Sequence, residues 1–277
     1  MTTSQQHTLE LSVEAFEMLG ASLGPLDGDP SQPVRDIIAL DGRTVIDQGR
    51  PRAGYEDLCN SLVDAQGMAV ITLSEVADSP RSGKLLDGPG PDPVRASFVW
   101  WSHYGMTTAE PIPQGYRLHL EGAGGLYRFL LDATGLGPRP EPSAPVRLKP
   151  SREVMQGFAL EDSQAPDGEA ARRALAHDLE ASWPELADDI RTGTYRQVTV
   201  AAQFNGVDGL KETGTWYLDS PQGLLVHVEE PRSFRANRHT LVSSPSWQLW
   251  AELLETLPTP QDVEVWLEEA ATTHFTS

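Results

Sequence analysis

The chain has 277 residues, 40 acidic side chains against 21 basic ones, a formal net charge of −19 and one cysteine. Such an excess of negative charge repels phosphate backbones and anionic headgroups, which excludes general nucleic-acid binding and docking on an anionic membrane through a basic face. An apolar fraction of 39%, before the 24 glycines are added, belongs to a chain with a real core and not to a disordered acidic tail.

Cys59 cannot form an internal disulfide and falls in an apolar-periodic stretch, so it reads as a small core residue. The opening Met1–Glu10 is polar and lacks the pattern of a secretory leader. No apolar run approaches the ~18 residues of a membrane helix. The expected setting is soluble and cytoplasmic. Only Lys84, Lys149 and Lys211 among the basic residues are lysine, a bias that with abundant Ala, Gly and Pro fits a GC-rich bacterial gene.

In chain order, Thr8–Val13 alternates Leu9, Leu11 and Val13 with polar residues and predicts a strand, followed by a helix near Glu14–Gly20. Gly24–Pro33 reads as a loop, Val34–Leu40 and Thr44–Asp47 as short strands. Tyr55, Leu58, Cys59 and Leu62 follow helical spacing, with Gly67 as the expected stop. Met68–Val76 reads as a strand, and Ser79–Pro93, with four prolines and three glycines, as a loop. Val94–Trp101 is a strong strand. Tyr116–Glu121 alternates Tyr116, Leu118 and Leu120 against Arg117, His119 and Glu121, and a helix through Leu126, Phe129 and Leu130 follows.

Gly137–Pro145 reads as a linker and Val146–Leu148 as a short strand. Helices are expected over Ser151–Phe158 and Gly168–Ile190, the second broken at Pro184. Tyr195–Phe204, Lys211–Leu218 and Gly223–Glu229 form an antiparallel meander, joined by turns at Asn205-Gly206 and Asp219–Gln222. Two helices close the chain. Ser244-Pro245 supplies a cap and a first-turn proline to one through Trp247, Trp250, Leu253 and Leu254, and Thr259-Pro260 does the same for the other, where Asp262 approaches a capping box.

One self-match stands out. Residues 113–121 align with residues 221–229 at an offset of 108, sharing Pro, Gln, Gly, His and Glu at five of nine positions. Each copy follows a strand-like segment and precedes an aromatic-leucine helix. The match reads either as common hairpin-turn chemistry or as two halves derived from one unit about a pseudo-twofold axis.

The search for chemistry returns little. None of the seven histidines has a metal-site spacing, so no metal is expected. His119 and His227, related by the self-match, read as members of a solvated sheet face. Gly122–Gly125 follows a strand, but Tyr127 stands where a dinucleotide fingerprint needs glycine, and no P-loop is present. No Gly-x-Ser-x-Gly elbow exists. His177 and Asp178, adjacent on a helix, point about 100° apart and do not face each other. No cofactor and no catalytic residue are expected. The aromatics remain: Trp100-Trp101 and Trp216-Tyr217 each place one ring on either face of a strand, so one can be core while its neighbour meets a helix or a partner.

The second half resembles a known family. The strand Tyr195–Phe204, the turn Trp216-Tyr217-Leu218-Asp219-Ser220-Pro221-Gln222-Gly223, the strand Leu224–Val228 and the run Val242-Ser243-Ser244-Pro245 into a Leu-rich helix resemble the EspG family. These are cytoplasmic chaperones of the type VII (ESX) secretion systems of actinobacteria. The strand-into-helix opening over Leu9–Leu19 is similar too. The resemblance covers Tyr195–Leu257 and, more weakly, Arg95–Leu148; residues 21–93 depart from the family pattern.

The resemblance implies an α/β fold with quasi-twofold related halves, and the elements are read as an α+β fold: two pseudo-twofold-related lobes, at about 1–150 and 151–277, sharing a largely antiparallel central sheet, with a helical C-terminus. It implies a non-enzymatic chaperone that keeps a secreted helical partner of the PE/PPE type, or a related ESX substrate, soluble before export. Phe204, Trp216, Phe234, Trp266 and Leu267 are the partner-binding residues expected on that reading. An α+β small-molecule-binding protein or hydrolase, with a deep pocket near His103 or His119, is the alternative. An immunity-type partner using its acidic surface is a third.

Overall fold

A computed structural model describes residues 8–23, 36–75, 94–122, 125–158, 168–230, 238–259 and 261–266. The strands are β1 (Thr8–Ser12), β2 (Ile37–Ile38), β3 (Thr44–Asp47), β4 (Arg50–Pro51), β5 (Gly67–Glu75), β6 (Val94–Ser102), β7 (Gly105–Ile112), β8 (Gly115–Glu121), β9 (Arg147–Leu148), β10 (Arg196–Gly206), β11 (Gly209–Ser220), β12 (Gly223–Glu230) and β13 (Arg238–Ser243). The helices are α1 (Val13–Leu23), α2 (Glu56–Val63), α3 (Leu126–Thr134), α4 (Arg152–Gly157), α5 (Gly168–Leu179), α6 (Pro184–Thr192), α7 (Ser246–Glu255) and a last one, α8, over 261–266.

Among the described residues, ten strands form one antiparallel sheet in the order β1-β8-β7-β6-β5-β10-β11-β12-β13-β9. The order is mirrored about the β5–β10 junction, where Ala69, Ile71 and Leu73 pair with Ala202, Val200 and Val198. This is the two-lobed α+β architecture with an antiparallel central sheet.

Both faces of the sheet carry core clusters, so β7 and β12 bury residues at consecutive positions, whereas β10 alternates buried Val200, Ala202 and Phe204 with exposed Ala201, Gln203 and Asn205. On one face Ala69, Ile71, Val99, Trp101, Val198, Val200, Ala202 and Phe204 form a continuous core beneath α3 and α7. The other face carries two separate clusters. Leu9, Leu11, Leu118 and Leu120 lie under α1, α2 and the small β2-β3-β4 sheet, and Leu218, Leu225 and Leu241 lie under α4, α5 and α6. Trp101 and Tyr217 are core, while their neighbours Trp100 and Trp216 are half-buried on the opposite face, as strand alternation requires.

Several sequence expectations are corrected. Gly67 does not stop a helix: α2 ends at Val63 with Asp64 as its C-cap, and Gly67 opens β5 opposite Phe204, whose Cβ leaves no room for a side chain. β7 and β13 are strands without a strand pattern of their own, since β7 carries Thr, Ala, Glu and Pro and β13 starts on Arg238 and His239. Pro245 is the residue before α7 and not a first-turn proline; Ser246 donates its hydroxyl to the Gly137 carbonyl at 2.9 Å. The expected loops at Gly24–Pro33 and Ser79–Pro93 lie outside the described residues.

The self-match is a shared turn, displaced from the symmetry of the sheet. Gly115 and Gly223 both have φ +152°, a backbone that favours glycine, so both copies build the same tight turn. One joins β7 to β8, however, and the other joins β11 to β12, whereas the mirrored order pairs β8 with β13. The offset of 108 slips by one hairpin. The helices do obey the symmetry: α3 follows β8 and α7 follows β13, and both lie on the same core.

The chain crosses between the halves after α3, and β9 lies at the far edge beside β13. A buried ion triad secures the crossing. Asp219, fully buried, accepts a bidentate pair from Arg139 at 2.6 and 3.0 Å and bonds to Arg196, whose Nη2 also donates to the Gly135 carbonyl at 2.7 Å. This is the aspartate of the Asp-Ser-Pro-Gln-Gly turn. Its role in this fold is to fasten the crossover to β10 and β11.

Candidate partner-binding groove

At one end of the central strands β6, β5, β10 and β11, a gap separates α1 and α2 from the β10–β11 hairpin. The gap is an open cavity of about 590 Å³, and its walls are mainly apolar: Phe16, Leu62, Val63, Met68, Phe98, Trp100 and Leu210. Alternation along β6 sends Phe98 and Trp100 to this side, while Val99 and Trp101 enter the opposite core. Phe16 on α1 stacks on Tyr116 at 4.2 Å and meets Phe98 at 5.5 Å and Trp100 at 6.2 Å. The four rings are half-buried, a state in which further burial is favourable. Val63 and Leu210 project from the two rims, 53% and 63% exposed.

The hairpin wall is held from behind. Gln66 and Asn205 join the starts of β5 and the end of β10, by Asn205 N to the Gln66 carbonyl at 2.9 Å and by their side chains at 3.1 Å. α8 braces the turn. Trp266 Nε1 donates to the Asn205 carbonyl at 2.7 Å, and Asp262 accepts from Val207 N and Lys211 Nζ, both at 3.0 Å. Asp262 also completes the expected capping box. Its Oδ2 accepts from Thr259 N and from the Thr259 hydroxyl, and the Thr259 hydroxyl accepts from Asp262 N at 3.3 Å. Burial opposes the Asp262 charge, yet the bonds from Thr259, Lys211 and Val207 outweigh it and hold the carboxyl well below the usual carboxylate range.

The sequence-predicted binding residues do not form one patch. Phe204 lines the groove from the core side and is buried. Trp266 is buried beneath the hairpin as its brace. Trp216 stands on the opposite face of the sheet from Phe204, half-buried against Phe158 and His227 at 6.5 and 5.8 Å. Phe234 and Leu267 lie outside the described residues. Of the groove's lining residues the sequence reading singles out for partner contact only Phe204 and Trp100, the latter through its pairing with Trp101 on one strand. α1 and α2 gave no signal, because nothing local says which helix face meets the sheet and which overhangs it.

Polar chemistry gathers elsewhere. His119 bonds the Thr8 hydroxyl at 2.8 Å on β8, while His227 meets His239 at 2.9 Å on β12, six strand positions away. Neither His103 nor His119 lines the groove. Cys59 is fully buried, and burial, then Glu56, pushes its thiol up to about 11. Among the described residues no group of three or more His, Cys, Asp or Glu is arranged to hold a metal ion, and no helix is long and apolar enough to cross a membrane.

No protein-family model and no curated protein matches the sequence. Solved structures do match. One is the Mycobacterium tuberculosis type VII secretion system chaperone EspG5 in complex with a PE25–PPE41 dimer, at a TM-score of 0.50 and 14% identity, covering 91% of this chain and 97% of that one. At that identity the likeness is one of fold: this chain has an EspG-like α+β fold over nearly its whole length.

Proposed function

We propose that this chain is a non-enzymatic, cytoplasmic chaperone of a type VII secretion system. It binds a secreted helical partner of the PE/PPE type and covers an apolar tip of that partner before export. The observation that carries this reading is the end-to-end fold likeness to a chaperone whose structure includes a PE–PPE dimer. The groove between α1, α2 and the β10–β11 hairpin supplies a surface of the right chemistry. Aromatic and leucine anchors that are half-exposed in the free protein are the side chains that contribute most when a partner buries them. The net charge of −19 keeps such a holder soluble around an aggregation-prone cargo.

The test is co-expression with PE/PPE-type proteins from the same genome, followed by size-exclusion chromatography with light scattering. A soluble 1:1 chaperone–cargo complex, or a ternary complex with a PE–PPE dimer, is expected. Cargo that stays insoluble, or elutes apart from this chain in every combination, rejects the reading.

A further inference from the structure

A second cavity, about 240 Å³, lies on the α3 side of the sheet, between β5, β6 and β7 and the C-terminal end of α3. Glu75 lines it. The residue is 6% exposed, and both carboxylate oxygens are buried without a hydrogen-bond partner. A buried carboxylate with no donor is unfavourable, so the position calls for a group that brings N–H or O–H donors and positive charge. Arg196, also on the wall, is committed to Asp219 and the Gly135 carbonyl. Arg95 is on the wall too, half-buried, but forms no ion pair with Glu75.

The remaining surroundings select a cation. Glu110 and Asp132 share the lining with Glu75, and Ala133 and Gly135 bring the C-terminal end of α3 to the wall, where the Gly135 carbonyl is already bonded by Arg196. The volume is several times the roughly 30 Å³ that one water occupies. Ile71, Leu73 and Pro111 supply apolar wall beside the carboxylates, which suits a charged head on a hydrocarbon stem. A bare metal ion fits less well, since no three carboxylates converge at ligating geometry among the described residues.

We propose that this cavity is a binding site for an alkylammonium group, whose N–H donors satisfy Glu75 and whose methylenes lie along Ile71, Leu73 and Pro111. The group belongs either to a free alkylamine or to a lysine side chain of a bound protein. The site is separate from the apolar groove and stands whether or not the chaperone reading does.

Isothermal titration of the full chain with n-butylammonium chloride, against sodium butyrate at matched ionic strength, tests it. Saturable binding of the amine and none of the butyrate is expected. Glu75→Gln should weaken the amine at least tenfold, Glu110→Gln several-fold, and Arg95→Ala, which removes a repelling charge, should leave it equal or tighter. If Glu75→Gln fails to fold cooperatively, the half-exposed Glu110 decides by its own variant. No saturable amine binding, equal binding of butyrate, or an affinity unchanged by the carboxylate variants overturns the proposal; so does loss of binding in Arg95→Ala. A short capped peptide with one lysine, set against its acetyl-lysine twin, separates the sources. Tighter, Glu75-dependent binding of the lysine peptide than of butylammonium assigns a protein ligand, and weaker or equal binding assigns a free amine. Either result supports the alkylammonium site.

Discussion

The indole N–H of Trp266 donates to the backbone carbonyl of Asn205 at 2.7 Å, which ties the last described helix to the turn end of the β10–β11 hairpin. The ring is buried, so the contact combines a hydrogen bond with packing. Trp266→Phe keeps most of the packing and strands a carbonyl; the expected cost is about 1–3 kcal/mol in urea unfolding. Trp266→Ala should cost about 3–5 kcal/mol. Equal stability of wild type and the phenylalanine variant would show that the bond contributes nothing net.

Asp262 makes the same junction sensitive to acid. Its folded carboxyl titrates below the unfolded one, so its contribution is fully present above the unfolded value of about 3.9 and is lost as pH falls toward the folded value. The stability difference between wild type and Asp262→Asn should therefore be constant above about pH 5, at about 1–3 kcal/mol, and shrink below about pH 4. Unfolding curves from pH 7 to pH 3 measure it. A difference that grows on acidification contradicts the assignment.

Leu210 stands out from the hairpin rim at 63% exposure. Leu210→Asp should change stability by no more than about 0.5 kcal/mol, because little is buried there. In the proposed role it should weaken cargo binding at least tenfold, about 1.4 kcal/mol. Trp247→Ala is the comparison, since Trp247 is 72% exposed on α7 and does not line the groove. Calorimetry with purified cargo should show loss in the first variant and none in the second. The reverse pattern moves the binding surface to α7.

Asp219 neutralises two arginines inside the fold. Removing it leaves Arg139 and Arg196 without their counter-charge, and Asp219→Ala should lose about 3–5 kcal/mol. Adding Arg139→Met to that variant should recover part of the loss, because one stranded charge is then gone. Strict additivity of the two substitutions in denaturant titrations would disprove the coupling.

Much of the fold was legible where local pattern and burial agree. The β8 alternation at Tyr116, Leu118 and Leu120, the Pro184 break between α5 and α6, and the Thr259–Asp262 cap all act within a few residues, and each appears as expected. β7 was not legible, because Thr107 and Thr108 owe their burial to β6, β8 and α2 and carry no alternation of their own. The self-match marks the shared hairpin turn but not its place in the sheet, for the related reason that a tight turn has a sequence signature and a position in a sheet does not.

By itself, the sequence determined the charge class, the α+β composition, the buried cysteine, and the choice of one ring inward and one outward in each of Trp100-Trp101 and Trp216-Tyr217. These follow from composition and from the two-residue period of a strand. Only the tertiary structure decided which outward rings share a surface. Strand order brings Phe98 and Trp100 to Phe16 and Leu210, sends Trp216 to the opposite lobe, and turns Trp266 from an expected anchor into a buried brace. It also decided that Asp219 and Glu75, alike as acidic residues at strand ends, differ in kind. One is bonded by two guanidinium groups, while the other has no hydrogen-bond partner although Arg95 and Arg196 share its cavity wall, because long-range neighbours set the field at a buried charge.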